Sequence, residues 1–127
     1  MIDANFNRAK EGLRVCEDVC RFIYDEPRLT RQFKDIRHGL SNIMKKMQPS
    51  MMMACRNIQD DVGKISIKHE LKRTKIKDIV YANSQRVKES IRVLEEFAKL
   101  FSPKAAISLK SLRYKIYALE QILTKKG

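Results

Sequence analysis

Two stretches of this chain repeat one another closely in sequence. Residues 4–18 align with residues 82–96 at an offset of 78, and Ala, Asn, Arg, Lys, Glu, Arg, Val and Glu recur in order. Residues 33–40 then match residues 109–116 at an offset of 76. Because both stretches recur in the same order, the fold is expected to contain two copies of one structural unit.

Each stretch of the repeat has the apolar spacing of a helix that faces a core. Apolar residues recur every three or four positions, which places them on one side of a helix. This spacing predicts helices at 2–24, 28–48, 75–101 and 103–125. The core-facing positions of the first and third helices are Ile2, Phe6, Ala9, Leu13, Cys16, Cys20 and Ile23, matched by Val80, Ser84, Val87, Ile91, Leu94, Ala98 and Phe101.

Short breaks separate the two helices of each copy. Asp25-Glu26-Pro27 interrupts the first copy and Ser102-Pro103 the second. Ser102 suits a helix N-cap, and proline is favoured at the first helical position that follows. Connections this short imply that the two helices are antiparallel neighbours.

The predicted fold class is therefore all-α, a four-helix bundle of two repeated antiparallel helical hairpins. Residues 1–127 are expected to form a single domain, with hairpin repeat 1 at 2–48, a connecting loop at 49–74 and hairpin repeat 2 at 75–125. The connecting loop is long for a compact bundle, and long connections often carry function.

The charge of the chain favours anionic partners. The formal net charge is +12, and the excess of basic residues lies after residue 26. Such a field suits nucleic acid, acidic lipid or phosphorylated metabolites. Aromatic residues make up only 7% and tryptophan is absent, so nucleic acid is an unlikely partner because single-strand binders stack bases on aromatic rings. No apolar run reaches the length of about 18 residues that a membrane span needs, so no membrane partner is expected.

The three cysteines are expected to be reduced thiols. Cys16 and Cys20 lie one helical turn apart on the apolar face, and Cys55 stands alone. No signal peptide precedes them, which favours a cytoplasmic location with free thiols. Their spacing matches no recognised zinc pattern, so burial in the core is the favoured interpretation.

Polar residues recur with the repeat and form a candidate binding stripe. Asn5 and Arg8 lie at the border of the core-facing side, and Asn83 and Arg86 occupy the same places in the second copy. The matched residues Arg37 and Arg113 are candidates to meet the same cleft, whereas Arg14 and Arg92 are expected to point away from it. An arginine-lined pocket holds phosphate through charge-assisted hydrogen bonds.

A purely structural interpretation of the same stripe stays equally open. Each arginine can pair with the glutamate three positions later, and each asparagine can cap or bridge helices. The connecting loop offers a carboxylate, Asp61, which suits Mg²⁺, although a solvated turn explains it as well. No Gly-rich phosphate loop accompanies Gly63-Lys64.

Three motifs together resemble a known family. Ala4–Asp18, the loop with Arg56, Asp61, Val62 and Gly63, and Ala82–Glu96 are similar to the helical domain found before thiamine-phosphate synthase barrels in some microbes. That family is described as a second type of hydroxymethylpyrimidine phosphate kinase. The resemblance covers nearly the whole chain.

This resemblance implies a transferase of thiamine biosynthesis. The chain would phosphorylate 4-amino-5-hydroxymethyl-2-methylpyrimidine phosphate to the diphosphate, with ATP and Mg²⁺. Phosphoryl transfer depends on positioning and cations. Asp61 and Arg56 would then be catalytic, with Asp61 also holding the metal. The phosphorylated pyrimidine and nucleotide would be bound by Asn5, Arg8, Arg37, Gly63, Asn83, Arg86 and Arg113.

Two alternatives to the kinase interpretation stay open. Asn57 follows Arg56 where the family is expected to have an aspartate, which favours a non-catalytic domain that binds a phosphorylated pyrimidine or regulates a separate thiamine-phosphate synthase. The second alternative is a basic helical protein that binds nucleic acid, for which the charge is the only support.

Overall fold

The computed structural model describes residues 1–55 and 75–126, with side chains described for 1–47 and 75–126. These residues form four main helices: α1 (Ile2–Asp18), α2 (Pro27–Cys55), α3 (Ile76–Ala98) and α4 (Pro103–Thr124). A π-helical turn, Val19–Ile23, continues α1. The prediction of an all-α four-helix fold is confirmed.

The predicted start of the connecting loop at residue 49 is wrong. Helix α2 runs through Pro49 and ends at Cys55. Proline removes one backbone hydrogen bond from a helix and favours a kink, but a long helix continues past it where the other bonds hold. The predicted loop residues 56–74 lie outside the described residues.

The four helices pack in a closed ring. Helix α1 lies against α2 and α3, α3 lies against α4, and α4 returns to α2. In the second hairpin the ion pairs Glu95–Arg113 and Lys88–Glu120 are both centred on residue 104, as an antiparallel pair of helices requires. Lys126 at the end of α4 contacts Glu26 in the first turn. The end of the second hairpin therefore meets the turn of the first.

The core is apolar and draws on both copies of the repeat. Its fully buried members include Leu13, Phe33, Ile91, Leu109 and Ile116. Most of the predicted core-facing positions are buried, but Ile23 and Phe101 are exposed. The reason is local: α1 changes to π-helical geometry at Val19, and α3 ends at Ala98 before Phe101 is reached. Ser102 caps α4 as predicted, its hydroxyl accepting the Ala105 N–H at 3.2 Å.

Helices α1 and α3 approach each other most closely at Gly12. A Cβ atom at this position would lie 2.6 Å from Val87 Cγ2 and 2.9 Å from the Asn83 carbonyl oxygen. Such separations are too short for real carbon atoms. The absence of a side chain at Gly12 is what allows these two helices to touch backbone to backbone.

Candidate functional site

A buried glutamate stands at the same place in each copy of the repeat. Glu17 on α1 and Glu95 on α3 are 0% and 2% exposed. Arg37 on α2 donates to both carboxylate oxygens of Glu17 at 2.9 and 3.5 Å. Arg113 on α4 donates to Glu95 in the same way, at 2.5 and 3.2 Å. These forked contacts tie the two helices of each hairpin together.

The predicted phosphate ligands Arg37 and Arg113 are thus hydrogen-bonded to carboxylates. A buried carboxylate needs a charged partner, because desolvation of an unpaired charge is costly. The geometry gives both arginines a structural role, and this role also explains why they recur in the two copies. Contact between them and a phosphate stays a prediction. The hydrogen bond that Arg113 donates to Glu95 raises the pKa of the guanidinium above its ordinary value.

Burial alone would raise the pKa of Glu17. The hydrogen bond and charge of Arg37, helped by Arg21 and Arg14, outweigh that effect and hold the pKa below its ordinary value of 4.5. A depressed carboxylate pKa adds stability above the unfolded-state pKa, and this contribution is lost as the pH falls through the folded-state value.

We expect the free energy of unfolding to decrease below about pH 4.5 partly through Glu17. In the variant Glu17→Gln this part of the pH dependence should vanish, because the amide does not titrate. Urea unfolding at pH 7 and pH 3 measures both proteins. If the parent and the Glu17→Gln variant differ in free energy of unfolding by the same amount at pH 7 and pH 3, Glu17 does not contribute to the pH dependence.

The predicted asparagines make the same local contact in both copies. Asn5 Nδ2 donates to the Met1 carbonyl at 2.9 Å, and Asn83 Nδ2 donates to the Ile79 carbonyl at 2.8 Å. Each bond reaches back one helical turn, as short polar side chains often do. This contact matches the structural interpretation of the stripe. Whether either asparagine also contacts a ligand stays a prediction.

The predicted arginines Arg8 and Arg86 differ in exposure. Arg8 is exposed and Arg86 is half-buried. Within residues 1–55 and 75–126 neither forms an ion pair, so the expected pairing with Glu11 or Glu89 does not occur there. Both guanidinium groups are therefore available among the described residues, and phosphate binding by them stays a prediction.

A cavity of about 370 Å³ lies between α3 and α4 and includes one predicted residue, Arg113. Its other lining residues were not among the predicted ones: Gln85, Lys88, Glu89, Arg92 and Tyr117. Arg92 was expected to point away from the cleft of the predicted polar stripe, and that expectation stays a prediction, but Arg92 does line this other cavity beside α4. The cavity is called the α3–α4 cavity below.

The α3–α4 cavity combines cations with an aromatic ring. The Lys88 ammonium lies 4.4 Å from the centre of the Tyr117 ring and 2.5 Å from Glu120 Oε2. Arg92 is about half exposed, with its guanidinium 3.0 Å from Glu96 Oε1. Tyr117 is itself 43% exposed. A flat ring, an amide and three cations can contact a phosphorylated heterocycle through stacking and charge-assisted hydrogen bonds.

The repeat supplies an internal comparison for this cavity. The residues equivalent to Lys88, Arg92 and Arg113 are Lys10, Arg14 and Arg37, but Ser41 stands where the second copy has Tyr117. The cations are therefore shared by both hairpins and the aromatic ring is not. The tyrosine in place of serine was the one sequence signal that could have identified the α3–α4 cavity, because a scaffold role would not require an aromatic ring at this position.

The thiols Cys16 and Cys20 are buried and free, as predicted. Burial, with smaller effects from Cys20 and Glu120, raises the pKa of Cys16 to about 12. Burial and Glu26 raise the pKa of Cys20 to about 11. A neutral thiol is a poor nucleophile and a poor metal ligand.

We expect neither thiol to react with a disulfide reagent in the native protein at pH 8. A Cys55→Ser background removes the third thiol, so that the signal comes from Cys16 and Cys20 alone. Both should react at once after unfolding in urea. Fast reaction of either thiol without denaturant would contradict their burial.

Three predicted site residues, Arg56, Asp61 and Gly63, lie outside the described residues. Asp61 was the predicted metal ligand, and that prediction stays open. Among the residues that the structure does describe, no group of three or more histidine, cysteine, aspartate or glutamate side chains is placed to hold a metal ion. Nor does any helix of the described part have the length and apolar character of a membrane span.

Comparisons with known proteins match almost the whole chain. The family described as ThiD2 family matches residues 1–122. A thiamine-phosphate synthase of Synechocystis sp. is 39% identical over 121 residues, covering 94% of this chain and 34% of the relative. Similar relatives, also called thiamine-phosphate synthase, come from Nostoc punctiforme (38% identical, 97% and 34%) and Rhodopirellula baltica (34% identical, 93% and 32%). No solved structure matches.

These relatives correct the predicted function. The chain spans about a third of the length of the curated relatives that it matches. They carry the name of a synthase and not of a kinase. The prediction that this chain phosphorylates the pyrimidine monophosphate with ATP is therefore wrong as an assignment from the resemblance, because the activity named in the relatives is a different one.

Proposed function

This chain belongs to the ThiD2 family, and from that membership we propose that it serves thiamine biosynthesis as a helical domain that binds a phosphorylated pyrimidine for a thiamine-phosphate synthase. The observation that carries the proposal is the α3–α4 cavity. It brings an aromatic ring, an amide and three cations to one place in a domain whose relatives are thiamine-phosphate synthases.

The lining of the cavity suits this ligand class. A phosphate would be held by Arg92 and Lys88, which lie one helical turn apart on α3. The pyrimidine ring would stack on Tyr117, and the amide of Gln85 would face the polar edge of the ring. Arg113 is kept in place by Glu95 beneath the cavity floor and adds positive charge. The contacts of Tyr117 and Gln85 with the ring favour a phosphorylated heterocycle over a free phosphate ion.

The partner in this proposal is a thiamine-phosphate synthase. The relatives are about three times as long as this chain, so the matched domain and the rest of the synthase work within one polypeptide there. A thiamine-phosphate synthase, on the same polypeptide or on another, would receive the bound pyrimidine from this domain. The free thiols fit a cytoplasmic location. Mg²⁺ and a nucleotide stay predictions that depend on Asp61.

Arg92→Ala tests the cavity by its effect on ligand affinity. We expect calorimetric titration with 4-amino-5-hydroxymethyl-2-methylpyrimidine phosphate to show about tenfold weaker binding, or about 1.4 kcal/mol. The loss is small for a charged hydrogen bond because Arg92 is half exposed. Tyr117→Phe should keep the affinity and Tyr117→Ala should lower it, since stacking needs the ring.

The repeat supplies a matched control for this titration. Arg14→Ala removes the equivalent arginine of the first hairpin, which has the same exposure and the same 3.7 Å contact with its buried glutamate. It should leave affinity unchanged. Equal affinity in the Arg92→Ala and Arg14→Ala variants would exclude the α3–α4 cavity. Loss confined to Arg86→Ala would instead place the ligand on the predicted polar stripe.

A further inference from the structure

A second cationic cavity lies at the turn of the first hairpin, remote in sequence from the α3–α4 cavity. It has a volume of about 300 Å³ and is lined by residues of the π-helical turn, the connection and the first turns of α2. The lining residues are Arg21, Asp25, Pro27, Thr30, Arg31 and Lys34. Three of the six are basic and one is acidic. This feature is called the first-turn cavity.

Charge balance at the first-turn cavity is incomplete. Arg21 is paired with the buried Glu17 at 2.9 Å and lies 3.9 Å from Asp18. Arg31 and Lys34 lie one helical turn apart on α2, and within residues 1–55 and 75–126 neither forms an ion pair. Like charges at this spacing repel each other. A bound anion would relieve this repulsion.

The second hairpin shows that the fold does not need a basic residue at the position of Arg31. The residues equivalent to Thr30 and Arg31 are Ala106 and Ile107, and Ile107 is 70% exposed. Arg21 and Lys34 have basic equivalents, Lys99 and Lys110, so Arg31 is the basic lining residue that is particular to the first turn. The second turn is instead apolar, with Leu100 and Phe101 also exposed. Because both hairpins keep the same buried ion pair but differ at Arg31, a basic residue at that position is not required for hairpin folding.

The backbone of the first turn also differs from that of the second. The π-helical turn Val19–Ile23 carries Arg21 at its centre, and Asp25 has a φ of 50°. No residue among 99–102, all of them described, has a positive φ. Both features cost energy in an L-residue chain, and such features are frequent at functional sites. The π-helical turn and the Asp25 backbone place Arg21 in the lining of the cavity, and Arg31 and Lys34 line it from α2.

We propose that the first-turn cavity is a second binding site, for a small phosphorylated anion. Arg31 and Lys34 supply the unpaired charge, and Arg21 of the π-helical turn adds a third cation to the lining. A phosphorylated anion carries more than one negative charge, and inorganic pyrophosphate is small enough to enter the cavity of about 300 Å³. The site is independent of the proposed function, which places its ligand between α3 and α4.

Titration of the full chain with inorganic pyrophosphate at low ionic strength tests this site. We expect saturable binding that Arg31→Ile weakens at least fivefold, since this change installs the residue of the second repeat. Lys34→Ala should weaken binding similarly, and the matched control Lys110→Ala should not. Amide signals of residues 30–34 should shift in the NMR spectrum during the titration. Circular dichroism before each titration confirms that every variant is folded.

Three results would overturn the site. Binding weakened equally by Lys34→Ala and Lys110→Ala would show attraction by the overall positive charge alone. Binding weakened by Arg92→Ala and not by Arg31→Ile would place pyrophosphate in the α3–α4 cavity. Displacement of pyrophosphate by any duplex DNA, with a steep dependence on salt, would assign the basic surface to nucleic acid. Because pyrimidine phosphate binding is measured separately, failure here leaves the proposed function untouched.

Discussion

Replacing Arg113 with alanine should destabilise the folded protein by about 3–5 kcal/mol, the usual cost of breaking a buried ion pair. The variant leaves Glu95, which is 2% exposed, with Arg92 at 3.7 Å as its remaining charged neighbour in the described residues. A buried carboxylate without a hydrogen-bond donor must either remain charged at high cost or take up a proton. Either outcome lowers the free energy of unfolding at pH 7.

The equivalent change in the first hairpin, Arg37→Ala, should cost less. Glu17 keeps a second donor there, because Arg21 Nη2 lies 2.9 Å from Glu17 Oε2. The second hairpin has Lys99 at the position of Arg21, and Lys99 contacts Glu96 instead. Urea unfolding followed by circular dichroism measures both variants. Arg113→Lys should recover part of the loss, since an ammonium replaces the charge but not the forked geometry.

Two results would contradict this account of the ion pairs. A loss below about 1 kcal/mol in both variants would mean that the pairs behave like exposed surface pairs. A greater loss in Arg37→Ala than in Arg113→Ala would mean that Arg21 does not support Glu17. The comparison uses equivalent positions, so differences in helix propensity largely cancel.

Gly12→Ala should destabilise the protein by an amount near the upper end of the about 1–3 kcal/mol typical of overpacking. The added carbon would meet the Asn83 carbonyl oxygen at 2.9 Å, and a backbone atom cannot move aside as a side chain can. The two central helices must separate, which loosens the apolar contacts around Val87. The gain in helix propensity from glycine to alanine, about 1 kcal/mol, offsets only part of this loss.

Gly39→Ala is the matched control for that substitution. Its new carbon would lie 3.4 Å from Leu112 Cδ2, an atom at the end of a flexible side chain. Here the propensity gain should dominate, and the variant should be as stable as the parent or more so. Thermal unfolding of the two variants decides the matter. Equal stabilities would show that the α1–α3 contact tolerates a wider spacing than the structure has.

The sequence predicts the helices well because apolar spacing and proline positions are local signals. It fails where geometry changes within a helix. The sequence of residues 19–23 contains no pattern that predicts a π-helical turn. Pro49 indicated the end of α2, but the helix continues to Cys55. The outer limits of the core were therefore misplaced at Ile23 and Phe101, although residues such as Leu13 and Ile91 were identified correctly.

The candidate site was harder to predict because a duplicated sequence repeats its scaffold as faithfully as its binding residues. Arg37 and Arg113 recur, yet the structure explains their recurrence by Glu17 and Glu95, whose burial a helical wheel did not reveal. The positions that distinguish the cavities are those where the copies differ. Tyr117 in place of Ser41 and Arg31 in place of Ile107 were visible in the sequence, but only the structure shows that each lines a cavity.

The charged contacts of this fold are distributed unequally between the hairpins and the surface that joins them. Glu17–Arg37, Glu95–Arg113 and Lys88–Glu120 each lie within one hairpin. The α1–α3 and α2–α4 contacts join the two hairpins, together with the half-buried pair Lys126–Glu26. Each hairpin therefore presents an apolar face to the other, and the repeat makes the two faces similar. A polypeptide holding one hairpin alone is therefore expected to homodimerise through that face, and the chain described here joins two such halves covalently.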